Sequence, residues 1–129
     1  MRSRVAEAAV GRLATVTADR HPHLVPCCFA LSGDRVYTAI DHKPKSTPRL
    51  QRLTNLRANP NAALLIDHYA DDWSTLWWVR VDGTGRVLEG GAELERAIAL
   101  LVSKYSQYRL DPPAGPVIAI DVTTWRGWP

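Results

Sequence analysis

An antiparallel β-barrel or sheet with helices packed on it is the fold class this sequence predicts, and three observations predict it. Strand-like segments recur six times, mostly with short connections. Two helical patterns interrupt them, giving the order β-β-β-α-β-β-α-β. The chain is 129 residues long with 46% hydrophobic residues, which suits one domain over residues 1–129 around one apolar core.

Residues 4–10 (RVAEAAV) suit a short helix closed by Gly11. Arg12 to Thr17 alternates and is rich in β-branched residues, as a strand requires. Asp19 to Pro22 is a turn, and Leu24 to Leu31 is a second strand. Pro26 within it has no ladder donor, so it belongs at an edge, a bulge or a place where a ligand meets backbone. Ser32-Gly33-Asp34 turns the chain into a third strand, Arg35 to Asp41.

Thr47-Pro48 reads as an N-cap followed by proline at the first helical position. That helix carries Leu50, Leu53 and Leu56 inward and stops at Asn59-Pro60. Ala62 to Tyr69 is a strand, Ala70 to Asp72 a turn, and Leu76 to Leu88 a long strand with a bulge or tight hairpin at Asp82 to Gly85. After Gly90-Gly91, the spacing of Leu94, Ala97, Ile98, Leu101, Val102 and Tyr105 predicts a helix from Ala92 to about Tyr108. Val117 to Trp125 is the last strand.

Composition excludes several classes. Proline and glycine together are too few for a low-complexity chain, and no apolar run approaches the roughly 20 residues of a bilayer span. Glu7 interrupts the stretch a signal peptide would need, so the expectation is a soluble, cytoplasmic protein. The only cysteines, Cys27 and Cys28, are adjacent, and a disulfide between strand neighbours would be strained. Two buried, inert thiols are expected. His21, His23, His42 and His68 lack the companions of a tetrahedral metal site, so no metal is expected.

The net charge of +3 is concentrated. Residues 43–57 carry Lys43, Lys45, Arg49, Arg52 and Arg57 with no acid, which leaves the rest of the chain at −2. That distribution argues against nucleic acid as a partner and for a local anion site. A helix N-terminus is already electropositive, so cations gathered there make sense if a phosphate or carboxylate docks. Trp77 and Trp78, adjacent on a strand, must face opposite sides, and Arg80 shares the side of Trp78. A Trp–Arg pair on one face fits a ring stacked in a pocket or a subunit interface.

DHKPK at 41–45, NLRANP at 55–60 and DDWSTLWWVRVDG at 71–83, in this order, resemble the pyridoxamine 5′-phosphate oxidase-like, F420-dependent oxidoreductases of actinobacteria. The resemblance covers about residues 10–128. It implies a mainly β, six-stranded split barrel of the flavin-binding kind with two main helices, acting as a homodimer with cofactor sites at the interface. Lys43, Lys45, Arg49, Arg52 and Asn55 match the positions that meet the cofactor's phosphate and tail. Pro26, Cys27, Cys28 and Phe29, with Thr38, Ala39 and Ile40, match those along its ring. Trp77, Trp78 and Arg80 match the cover supplied by the partner subunit.

Five cations without an acid suit the phosphodiester and polyglutamate tail of F420 better than the single phosphate of FMN, the alternative cofactor. The implied activity is hydride transfer between F420 and a small unsaturated or aromatic substrate. No side chain stands out as acid or base, and Tyr37 and His42 are candidates by proximity alone. A carrier for F420, haem or a tetrapyrrole on a similar barrel is the non-enzymatic alternative.

Overall fold

The computed structural model describes residues 1–40 and 48–129, with Pro48 to Leu50 described by backbone alone. The elements are α1 (Arg2–Glu7), β1 (Gly11–Val16), β2 (Pro22–Cys27), β3 (Ala30–Ser32), β4 (Arg35–Ala39), α2 (Pro48–Ala58), β5 (Asn61–His68), a 3-10 turn (Trp73–Thr75), β6 (Trp77–Leu88), α3 (Ala92–Lys104), α4 (Ser106–Leu110) and β7 (Val117–Trp128). The strands form one antiparallel sheet in the order β2-β1-β5-β6-β7-β4-β3.

That order explains the barrel. β2 and β3 lie at opposite ends of the sheet, yet only Cys28 and Phe29 separate them in the chain. The sheet must therefore curl until its ends meet at this corner. The sequence reads 24–31 as one strand because its apolar run is unbroken; the structure divides it, so the described residues hold seven strands where six were expected. Pro26 sits on β2, an edge of the hydrogen-bonded order, where its missing donor is harmless.

Inside the barrel, Leu13, Phe29, Val36, Leu64, Ile66, Val79, Val81, Ile118 and Ile120 form one cluster, joined by Val5 of α1 and by Leu53 and Leu56 of α2. Close approach explains two glycines. A Cβ on Gly85 would stand 2.6 Å from Leu56 Cδ2, so α2 seats directly on β6. A Cβ on Gly83 would stand 2.3 Å from the Asp121 carbonyl oxygen, at the expected bulge, where the β6–β7 register shifts and β7 takes the extra residue. Gly11, expected to close the first helix, instead begins β1 and lies tight against Leu64 and Phe29.

The other face of β4 and β7 is covered by α3. Leu94, Ala97 and Leu101 pack on Tyr37, Ala39, Val117 and Ala119. The helix expected to reach Tyr108 breaks at Tyr105, whose backbone is extended (φ −114°, ψ 120°) while its amide still bonds to Leu101. With the short α1, expected over residues 4–10, and α4, which was not expected, the described residues hold four α-helices.

Glu93, in the first turn of α3, pins the helix to the sheet. Arg86 donates to both Glu93 oxygens (3.0 and 3.1 Å) and to both Asp121 oxygens (2.6 and 2.9 Å). The Tyr37 hydroxyl donates to Glu93 at 2.8 Å. No helix among the described residues is long and apolar enough to cross a membrane.

Candidate functional site

Three regions carry the residues singled out by sequence. The first is α2. Its first turn contains no acid, and Arg49 lies in that turn, whereas Lys43, Lys45 and His42 fall outside the described residues. Arg52 is half-buried, and its Nε is buried with no hydrogen-bond partner among the described residues. Asn55 is fully buried. Its Nδ2 donates to Thr15 Oγ1 at 3.0 Å and its Oδ1 accepts from Gln51 Nε2 at 2.6 Å. The amide of Asn55 is therefore committed to holding α2 on β1. Thr15 pairs across β1–β2 with His23, whose Nδ1 is also buried and unpartnered among the described residues. Arg52 Nε on α2 and His23 Nδ1 on β2 are thus two buried nitrogens without a partner among the described residues, which is unusual in a folded interior.

The second region is the barrel corner. Cys27, Phe29 and Ile40 are buried in the barrel core, while Ala39 faces the α3 cluster. Thr38 is buried and donates to the Cys28 carbonyl at 2.7 Å. Of the stretch Pro26 to Phe29, only Pro26 and Cys28 are exposed. Cys28 thus departs from the expectation of two buried thiols: it lies just past the end of β2, at the corner, where Cys27 and Phe29 on either side take the buried positions.

The third region is the outward face of the sheet. Trp77 turns toward the core, stacked on His68 (6.0 Å, 17°) with Arg4 4.8 Å above its ring. Trp78 turns outward, as strand alternation predicts, into a shallow groove of about 500 Å³ with Ala14, Leu24, Ala63, Leu65 and Arg80. Leu24 is 66% exposed and Leu65 37%. Arg80 donates to both oxygens of Asp82 at 2.9 and 3.2 Å, and Arg12 pairs with Asp67 at 3.0 Å. Val79 and Val81 face the core that receives Leu53 and Leu56, so Trp78 and Arg80 lie across the sheet from α2. One chain does not bring its basic helix and its Trp–Arg pair together.

Residues 1–129 match the family model described as pyridoxamine 5′-phosphate oxidase. The chain belongs to this family. Among solved structures, the protein Rv2991 of Mycobacterium tuberculosis aligns with a TM-score of 0.78 at 21% identity, covering 98% of this chain and 80% of that one. A haem-binding protein of Mycobacterium smegmatis aligns equally well, 0.78 at 21% identity over 98% of this chain, which spans about half (51%) of that protein. The haem storage protein HutZ of Vibrio cholerae aligns at 0.73 and 16% identity, covering 97% of this chain and 89% of that one. These identities establish a shared fold. No curated protein matches in sequence.

In this family member, sequence reasoning passed over Lys104, and it took Tyr105 only as a core-facing helix position and His23 only as a histidine without metal companions. Lys104 Nζ donates to the Phe29 carbonyl at 2.9 Å and lies 4.0 Å from the Phe29 ring centroid. The Tyr105 hydroxyl accepts from the Phe29 amide at 3.0 Å and can donate to the carbonyl of Ala9 (2.9 Å) or Phe29 (3.0 Å). Together they satisfy the backbone of the corner where the ladder is interrupted. Burial pushes the Tyr105 phenol up to about 12 and the Lys104 ammonium down from its ordinary range. The signal for Lys104 was thin: it is the one lysine outside the basic segment.

Tyr37, a candidate acid by proximity, has its hydroxyl on Glu93 under α3. Burial, then the Glu93 bond, raises its pKa, which suits a neutral structural phenol.

Proposed function

We propose that the protein is an F420-dependent oxidoreductase that works as a homodimer on a small unsaturated or aromatic substrate. The observation that carries this reading is the buried Nε of Arg52, without a partner among the described residues, on an acid-free, cation-rich helix. A donor left over in such a place suits an anionic oxygen, and the sequence of residues 43–52 holds two lysines and two arginines with no acid, the charge a longer anionic tail would need. F420, when bound, supplies hydride chemistry at its deazaflavin ring. The chain's own residues bind the anionic part, orient the ring and exclude water from it.

The two faces of the sheet support the homodimer reading. Trp78, Leu24 and Leu65 leave an apolar outward face that a second copy would cover. That copy would bring its Trp78 and Arg80 to a site its own α2 cannot reach. Trp78→Ala is expected to weaken self-association at least tenfold, read by sedimentation across a concentration series. Unchanged association would remove Trp78 from the interface.

The cofactor is tested by fluorescence titration with F420 beside FMN and FAD. Micromolar or tighter binding of F420 alone is expected, and Arg52→Ala should weaken it about tenfold, a loss of roughly 1.4 kcal/mol. Tight FMN binding instead would move the chain to flavin chemistry. F420 binding without turnover of quinones or enones would make it a carrier, and binding of neither cofactor would overturn the assignment.

A further inference from the structure

Two pairs of like side chains stand side by side on the outward face of β6 and β7. Arg80 lies directly opposite Arg126, and Trp78 directly opposite Trp128. Residues opposite each other in an antiparallel ladder share a face. Trp125 packs against the barrel core, so Arg126 next to it points outward, as Trp78 and Arg80 do. Beyond Asp121 the β4 ladder has ended and β6 remains the strand partner of β7, which leaves Arg126 and Trp128 at the open margin of the Trp78 groove. Arg126 is exposed, and so is Trp128.

Arg12, Leu65, Arg80 and Arg126 form one row across β1, β5, β6 and β7. Two of these arginines are matched by acids, Arg12 by Asp67 at 3.0 Å and Arg80 by Asp82 at 2.9 Å. Arg126 has no ion pair or hydrogen bond among the described residues. Like charges directly opposite on neighbouring strands are destabilising. An anion between the two guanidinium groups turns that repulsion into charge-assisted contacts. The row's surplus is one positive charge, which a carboxylate balances and a phosphate dianion overshoots. Two residues along the strands, a separation of about 7 Å, Trp78 and Trp128 offer indole faces for a flat ring. The groove of about 500 Å³ beside them has room for a fused-ring compound.

We infer that Arg80 and Arg126, with Trp78 and Trp128, bind a planar aromatic carboxylate: the carboxylate lies between the arginines and the ring against the tryptophans. The compound occupies the β7 side of the outward face, and Leu24 on β2 and Leu65 on β5 remain for the second copy. That this compound is the one that exchanges hydride with F420 rests on the proposed function. That it binds here rests on the β6–β7 register and the charge count alone.

2-Naphthoate and its uncharged counterpart 2-naphthamide are the probes, titrated into the cofactor-free protein by calorimetry and followed by NMR. 2-Naphthoate is expected to bind at least tenfold tighter than 2-naphthamide. Arg126→Gln should remove that advantage and leave 2-naphthamide affinity unchanged, and Arg126→Lys should restore part of it. Trp128→Ala should weaken both probes alike. Should Arg126→Gln fail to fold, the indole N–H resonances of the wild-type protein decide. 2-Naphthoate must shift those of Trp78 and Trp128, and shifts confined to other tryptophans overturn the site. Equal affinity for the two probes, or the full advantage kept in a folded Arg126→Gln, would overturn it as well. So would an advantage lost in Arg52→Ala and kept in Arg126→Gln, which would put the carboxylate at α2. No cofactor is present, so failure here leaves the F420 titration standing, and failure of F420 to bind leaves this site standing.

Discussion

Phe29→Ala is expected to destabilise the protein by about 3–5 kcal/mol, measured as the shift in unfolding free energy in urea. Phe29 is fully buried and stands at the two-residue corner through which the sheet closes on itself. Its ring lies against the tight approach of Gly11 and supports the Lys104 ammonium 4.0 Å away. Alanine would leave a cavity bounded by strands from both ends of the sheet order, and neither end can move inward without breaking the corner's hydrogen bonds. A loss under about 1 kcal/mol would mean that the corner repacks freely and that closure does not depend on this ring.

The reason the corner matters is also the reason it was hard to read. Apolar alternation through Val25, Cys27, Phe29 and Leu31 continues without a turn residue, so the pattern has no mark where the hydrogen-bond partner changes from β1 to β4. What makes the change affordable lies 75 residues away, in Lys104 and Tyr105, beyond any local pattern. The same tyrosine ends α3 early, because an extended backbone at Tyr105 accompanies its reach to the corner, and helical periodicity alone would carry on to Tyr108. By contrast, the opposite facing of Trp77 and Trp78 and the bulge at Asp82/Gly83 were legible, since both follow from chain-local geometry. The α2 boundaries were legible for the same reason, with Pro48 opening the helix and Asn59-Pro60 following its last residue. The candidate site was legible as charge and not as shape. The charge of residues 43–57 raises the expectation of an anion partner, but the commitment of Asn55 to Thr15 and Gln51, and the buried nitrogens of Arg52 and His23, needed the packing of α2 on β1.

Arg86→Ala is expected to cost about 2–3 kcal/mol at pH 7 and to flatten the acid dependence of stability. Arg86 is bidentate to Glu93 and to Asp121, which lifts it above an ordinary surface pair, while partial exposure keeps it below a fully buried one. Removing it leaves two carboxylates to Arg35, whose contacts are longer at 3.4 and 3.2 Å. The Arg86 bond, followed by the Tyr37 bond, holds the Glu93 carboxyl down at about 2, and Arg86 likewise lowers Asp121. A carboxylate depressed in the folded state stabilises fully above its unfolded value of about 4.3, and the contribution is lost as pH falls toward the folded value. The wild-type protein should therefore lose stability between about pH 5 and pH 2, and Arg86→Ala should lose much less over the same interval because its carboxyls titrate nearer their unfolded values. Urea midpoints at pH 7 and pH 3 check both parts. Parallel losses in the two proteins would show that α3 is held to the sheet by Leu94, Ala97 and Leu101 alone, with the ion network contributing only at its exposed edge.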